Sequence, residues 1–160
     1  MTNFSTYTTT LPAFEVVGFT KIVTSGGEQY DAVRRDGRWE LLRQLAGENK
    51  TLYGVASVDA ACPKGTYRYT LGVRGPLVVS EPLPPGEELF TISIPATAWL
   101  IFRLDDFAAQ YGDFWARDPY RMVQAQGYAF DSRVGLHIDA YDEGYVTEHD
   151  AMAFMMPVKV

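Results

Sequence analysis

Val134-Gly135-Leu136-His137-Ile138-Asp139-Ala140-Tyr141-Asp142-Glu143-Gly144-Tyr145 is the stretch on which the fold turns. At period-two spacing Leu136, Ile138 and Ala140 fall on one side of a strand, and His137, Asp139 and Tyr141 on the other. The apolar set suits a core. The opposite set places a carboxylate between an imidazole and a phenol, an odd composition for a solvated face. A surface strand with ordinary polar residues would also account for it, so the surrounding pattern decides.

That pattern recurs earlier in the chain. Residues 52–59 lie over 136–143 at an offset of 84, while 13–18 lie over 98–103 and 69–74 over 154–159 at 85. Identities are few, so the repeat is one of pattern. A near-constant offset across three separate strands is the mark of an internal duplication. In each half a strand is followed by helical material and two more strands. Residues 13–24 are β-branched and aromatic, and Ser25-Gly26-Gly27 breaks that run. Val33, Trp39, Leu42 and Leu45 then recur at helical spacing, weakened at Gly37. Strands follow at 52–59 and 66–74, and the Pro- and Gly-rich 81–88 reads as a linker. In the second half, strand material at 89–104 is interrupted at Pro95. Helical material at 105–126 divides at Asp118-Pro119, an N-cap followed by an N1 proline. The strand at 134–145 and the closing apolar run complete the unit.

The expectation is an α+β domain of two β-α-β-β repeats related by a pseudo-two-fold. Its helices lie on one side of the sheet and a ligand cleft between the halves. Residues 1–11 read as a flexible N-terminal segment and 12–160 as a single domain, with halves at about 12–80 and 89–160.

One hundred and sixty residues with 47% hydrophobic content suit one domain with a full core. Ten Tyr, nine Phe and three Trp are enough for a core and for an aromatic cavity besides. A net charge of −6 argues against nucleic acid and favours cationic ligands. The single Cys62 permits no internal disulfide, and no secretory signal or membrane-length apolar run is present, so a soluble cytoplasmic chain is expected. No nucleophile elbow, phosphate loop or zinc-protease motif occurs. His137 and His149, with Asp139 and Asp150, are weak grounds for a metal, and neither metal nor cofactor is expected.

The residues resemble the GyrI-like small-molecule-binding domain, related to the effector-binding domains of AraC- and MerR-type multidrug regulators. The matching pieces begin with Phe14-Glu15-Val16-Val17-Gly18, Trp39 and Tyr53-Gly54-Val55, then the paired tyrosines of Tyr67-Arg68-Tyr69-Thr70-Leu71-Gly72-Val73. Ile94-Pro95-Ala96 ahead of Trp99, Gly127-Tyr128, Asp139-Ala140-Tyr141-Asp142 and Met156-Pro157-Val158-Lys159 continue the series. The resemblance implies an aromatic cleft between two repeats and an acidic residue, usually Glu, that meets cationic lipophilic drugs. Asp139, one methylene shorter, stands there. Met155 departs from the aromatic that relatives often carry. With no helix-turn-helix segment expected, the chain resembles the stand-alone members.

Asp139 is therefore the expected charge selector, with His137 beside it more often structural. Trp99 and Ile101 lie opposite Leu100, Phe102 and Leu104. If the latter three pack on a helix, Trp99 faces the cleft, and Phe14 does so in the other half. Tyr67 and Tyr69 share one strand face, as Met152, Phe154 and Met156 share another; Tyr53 and Tyr141 complete the candidate ligand contacts. Trp39 and Trp115, on helices, are expected to pack on the sheet. The leading expectation is a binding protein for small lipophilic cations, a drug-sequestering or effector-sensing module. The resemblance also allows a hydrolase of strained, cyclopropane-bearing toxins, with Asp139 as general base and Tyr69 or Tyr141 as proton donor. A protein-interaction role, as the gyrase in the family name suggests, is the third possibility. No membrane partner is expected.

Overall fold

The acid-bearing stretch forms a five-residue strand, His137–Tyr141, at the middle of one large sheet. The computed structural model describes residues 4–46, 50–77 and 89–159. Among them are nine strands and four helices. These are β1 (Ser5–Leu11), β2 (Phe14–Val23), α1 (Gly26–Arg35), α2 (Arg38–Leu45), β3 (Leu52–Ser57), β4 (Tyr67–Arg74) and β5 (Phe90–Ile94). Then come β6 (Thr97–Leu104), α3 (Phe107–Ala116), α4 (Pro119–Ala125), β7 (Ala129–Phe130), β8 (His137–Tyr141) and β9 (Met152–Lys159). No helix among the described residues is long and apolar enough to cross a membrane.

Every described strand pair is antiparallel, in the order β1-β6-β9-β8-β3-β4-β2-β5, with β7 added to β9. The order β6-β9-β8 on one side and β3-β4-β2 on the other is mirrored about the β3–β8 pair. That is consistent with two repeats meeting there about a pseudo-two-fold.

Each half carries two helices: the second divides at Asp118-Pro119 as expected, and the first divides as well. In the first half Asp36-Gly37 ends one helix and opens the next, Gly37 taking a φ of 87°, in the left-handed region that suits glycine. The Ser25-Gly26-Gly27 break follows β2 and opens α1, with Ser25 as its N-cap residue and the two glycines as its first residues. Segment 5–11, expected to be loosely held, is instead a strand paired along its length with β6. Its run of β-branched threonines suits a strand, and β6 would otherwise offer an unpaired edge. The strand material of 89–104 breaks at Pro95 as expected, but its first part, β5, crosses to pair with β2. The linker expected at 81–88 lies outside the described residues.

The sheet has two buried faces. Tyr30 and Val33 of α1, Trp39 and Leu42 of α2, Phe114 of α3 and Val123 of α4 join one cluster with Tyr69, Leu71, Leu100, Phe102, Leu104, Met152, Phe154 and Met156. The helices thus cover one side, on the strand faces that alternation indicates. The other side is not free. Phe14, Val16, Val55, Ile94, Trp99, Ile101, Ile138 and Met155 form a second cluster with no helical member. Strands from both ends of the order and from its middle meet there, so the sheet curls and closes that face on itself.

Candidate functional site

Beneath the helices the three central strands build a trough. On the helix side, β4 carries Tyr67, Tyr69 and Leu71, β8 carries His137, Asp139 and Tyr141, and β3 between them carries Gly54 and Ala56. Register sets Ala56 opposite both Tyr69 and His137, and Gly54 opposite both Leu71 and Asp139. Two small residues on the central strand lower the floor between two taller rows. A Cβ placed on Gly54 would lie 2.1 Å from the Tyr69 hydroxyl oxygen. Only glycine there lets the phenol cross β3 and donate to Asp139 Oδ2 at 2.7 Å.

The walls come from the helices. Phe107, Tyr111 and Trp115, four residues apart, form one stripe along α3. Gly26, Gly27 and Tyr30 of α1 close the opposite side. The Gly26 N–H donates to the Tyr67 hydroxyl, and a Cβ on Gly26 would press on the Tyr69 and Tyr67 side chains at 3.2–3.3 Å. Tyr120 of α4, 41% exposed, lies at the rim. The cavity measures about 500 Å³, within the usual range for small-molecule sites.

Asp139 is 3% exposed. Among the described residues, its Oδ1 has no hydrogen-bond partner and no Lys or Arg lines the cavity. Burial raises its carboxyl pKa to about 7, with the Tyr69 hydrogen bond pulling the other way. Burial also pushes the His137 imidazole down to about 4, so it is neutral at physiological pH. Its ring stacks at a tilt on Phe154, centroids 4.9 Å apart, and its Nδ1 has no partner among the described residues. The phenols of Tyr69, Tyr111 and Tyr141 are held neutral, first by burial and then by the Asp139 charge. Among the described residues, Asp139 is the one carboxylic acid that lines the cavity, and neutral rings surround it.

Of the expected contacts, Asp139, Tyr69, Tyr67, His137 and Tyr141 line this cavity together. Phe154 lies just behind it, against His137 and Trp115. Trp99, Phe14 and Tyr53 do not reach it. Trp99 and Phe14 belong to the second cluster, and Tyr53 packs on Phe14. Leu100, Phe102 and Leu104 do pack with the helices, but the face that carries Trp99 and Phe14 is a closed second cluster rather than the cleft, and the cavity lies on the helix side. Tyr30, Phe107, Tyr111 and Trp115 were missed as wall residues. The four-residue spacing of the α3 aromatics was the available signal, but the same spacing serves ordinary core packing, the role expected of Trp115.

His149 and Asp150 stand apart from His137 and Asp139. His149 Nδ1 lies 3.2 Å from Asp106, and Asp150 Oδ2 accepts from the Val146 and Thr147 N–H groups. No group of three or more His, Cys, Asp or Glu side chains that could hold a metal ion occurs among the described residues.

No curated protein matches the chain. Solved structures do. SAV2435 bound to tetraphenylphosphonium is similar at 13% identity, with a TM-score of 0.71 over 97% of this chain and 94% of that one. EcmrR in complex with DNA shares 12% identity and a TM-score of 0.60 over 98% of this chain and 57% of that one. A hydrolase encoded by lin2189 from Listeria innocua shares 12% identity and a TM-score of 0.56 over 96% of this chain and 91% of that one. At such identities the likeness is one of fold. The model of the GyrI-like small molecule binding domain matches residues 7–158, nearly the whole sequence, and the chain belongs to that family.

Proposed function

We propose that this domain binds small lipophilic cations in the cavity over Asp139, as a drug-sequestering or effector-sensing module. One observation carries the proposal: a buried carboxyl group in an aromatic cavity, with one oxygen unpartnered and no positive side chain beside it among the described residues. A buried carboxylate without a counter-charge is costly, and a cation arriving in the cavity relieves that cost. The surrounding ring faces add cation–π attraction, about 0.5–2 kcal/mol per ring according to desolvation. The tetraphenylphosphonium bound by SAV2435 is a ligand of this type, which supports the same chemistry here. Calorimetric titration with tetraphenylphosphonium and with neutral triphenylphosphine oxide tests it. The cation should bind more tightly, and Asp139→Asn should weaken it by about 1.5–3 kcal/mol while barely moving the oxide. Equal binding of the two compounds would count decisively against the proposal.

Hydrolysis is the second reading, favoured by the Tyr69–Asp139 hydrogen bond and a carboxyl pKa near neutrality, suited to general acid–base work. Incubation with a cyclopropane-bearing electrophile and chromatography for a water adduct separates the classes. Turnover lost in Asp139→Asn would favour the enzyme.

A further inference from the structure

The two oxygens of Asp139 are not equivalent, and the difference bears on which cations the cavity accepts. Oδ2 is occupied by the Tyr69 hydroxyl, carried across the sheet over Gly54. Oδ1 is buried, and no described protein group donates to it. The Tyr67 hydroxyl oxygen accepts the Gly26 N–H on the α1 side of the cavity. No donor among the described residues meets this acceptor, so a donor carried by the ligand can take it.

Cations differ in whether they can meet that need. A quaternary ammonium or a phosphonium carries its charge behind carbon. It offsets the charge of Asp139 at a distance, but leaves Oδ1 a buried acceptor without a hydrogen bond, an expensive state. A protonated amine brings charge and an N–H donor in one group, giving the shorter and stronger charge-assisted contact. With Oδ2 already taken, a single N–H suffices. Resting on the cation-binding function proposed above, we infer that this cavity selects protonated alkylamines that carry aryl groups and an N–H over quaternary cations of the same shape.

Diphenhydramine, a protonated tertiary amine, its N-methyl quaternary salt, and the neutral analogue with carbon in place of the amine nitrogen form the test series. Calorimetry on the full chain should rank the amine at least about tenfold tighter than the quaternary salt, the usual scale of one charge-assisted hydrogen bond. The neutral analogue should bind most weakly. In Asp139→Leu, which removes the acceptor, the gap between the two cations should shrink to within about threefold. Asp139→Asn, which weakens the contact while keeping the shape, should narrow the gap in the same direction if the leucine variant does not fold. Equal binding of the two cations to the unmodified chain overturns the inference and leaves the cation-binding function standing. A gap that survives in Asp139→Leu also overturns it, by assigning the preference to shape. Failure of both cations to outbind the neutral analogue overturns inference and function together.

Discussion

Asp139 holds its proton to about pH 7 because the folded chain strips it of water and returns only one hydrogen bond, from Tyr69. Its folded pKa lies above the ordinary carboxylate value, so its contribution to stability is fully present below about pH 4. It falls as pH rises towards 7 and is lost above that, at roughly 1.4 kcal/mol per pH unit across the window. Asp139→Asn, which never ionises, should therefore match the native chain near pH 4 and exceed its stability by a few kcal/mol at pH 8. Urea melts of both at the two pH values check this. Binding runs the other way. A permanent cation such as tetraphenylphosphonium needs Asp139 ionised, so its affinity should fall about tenfold per unit below pH 7 and level off above pH 8. Titration at pH 6 and 8 should also register the proton released at the lower pH. A flat profile would separate the cation from Asp139.

At the scale of the element, β3 sets the site by what it lacks. Gly54→Ala places a methyl where the Tyr69 hydroxyl lies, so the phenol must leave Asp139 Oδ2 or β3 must shift. Overpacking of this kind costs about 1–3 kcal/mol. Thermal melts and tetraphenylphosphonium titration should both register the change, through lower stability and altered affinity. β6 gives the complementary case. Trp99→Leu should cost on the order of 2–4 kcal/mol of stability, somewhat under a Trp→Ala change, and leave cation affinity within about twofold, because Trp99 packs in the far cluster. Period-two alternation told which residues share a face: His137 with Asp139 and Tyr141, Leu100 with Phe102 and Leu104. It could not tell which face would stay open. That depends on the curl of the sheet, which brings Phe14 and Trp99 into one core, and curl is a property of the assembled strands. For the same reason β1 escaped notice: its threonines read as polar tail until β6 offers an edge.

Across the whole molecule, the offset pattern points to a junction of two halves, and the strand order mirrored about the β3–β8 pair is consistent with it. The helical walls were not legible, because Tyr30, Tyr111 and Trp115 become cavity residues only once β3 leaves a gap beneath them. The chain's charge also needs separating into near and far. A net charge of −6 attracts any cation. That attraction acts through water, with a screening length of about 10 Å at 0.1 M salt, and fades as salt rises. Asp139 lies out of water and is screened far less. Tetraphenylphosphonium affinity should therefore change by less than about threefold between 0.05 M and 0.5 M sodium chloride. At a free concentration 100 times its dissociation constant it should add about 2.7 kcal/mol to stability, a rise in Tm of roughly 5–10 °C for a chain of this size. If the thermal shift disappears at the higher salt, the cation is held by the surface field rather than in the cavity.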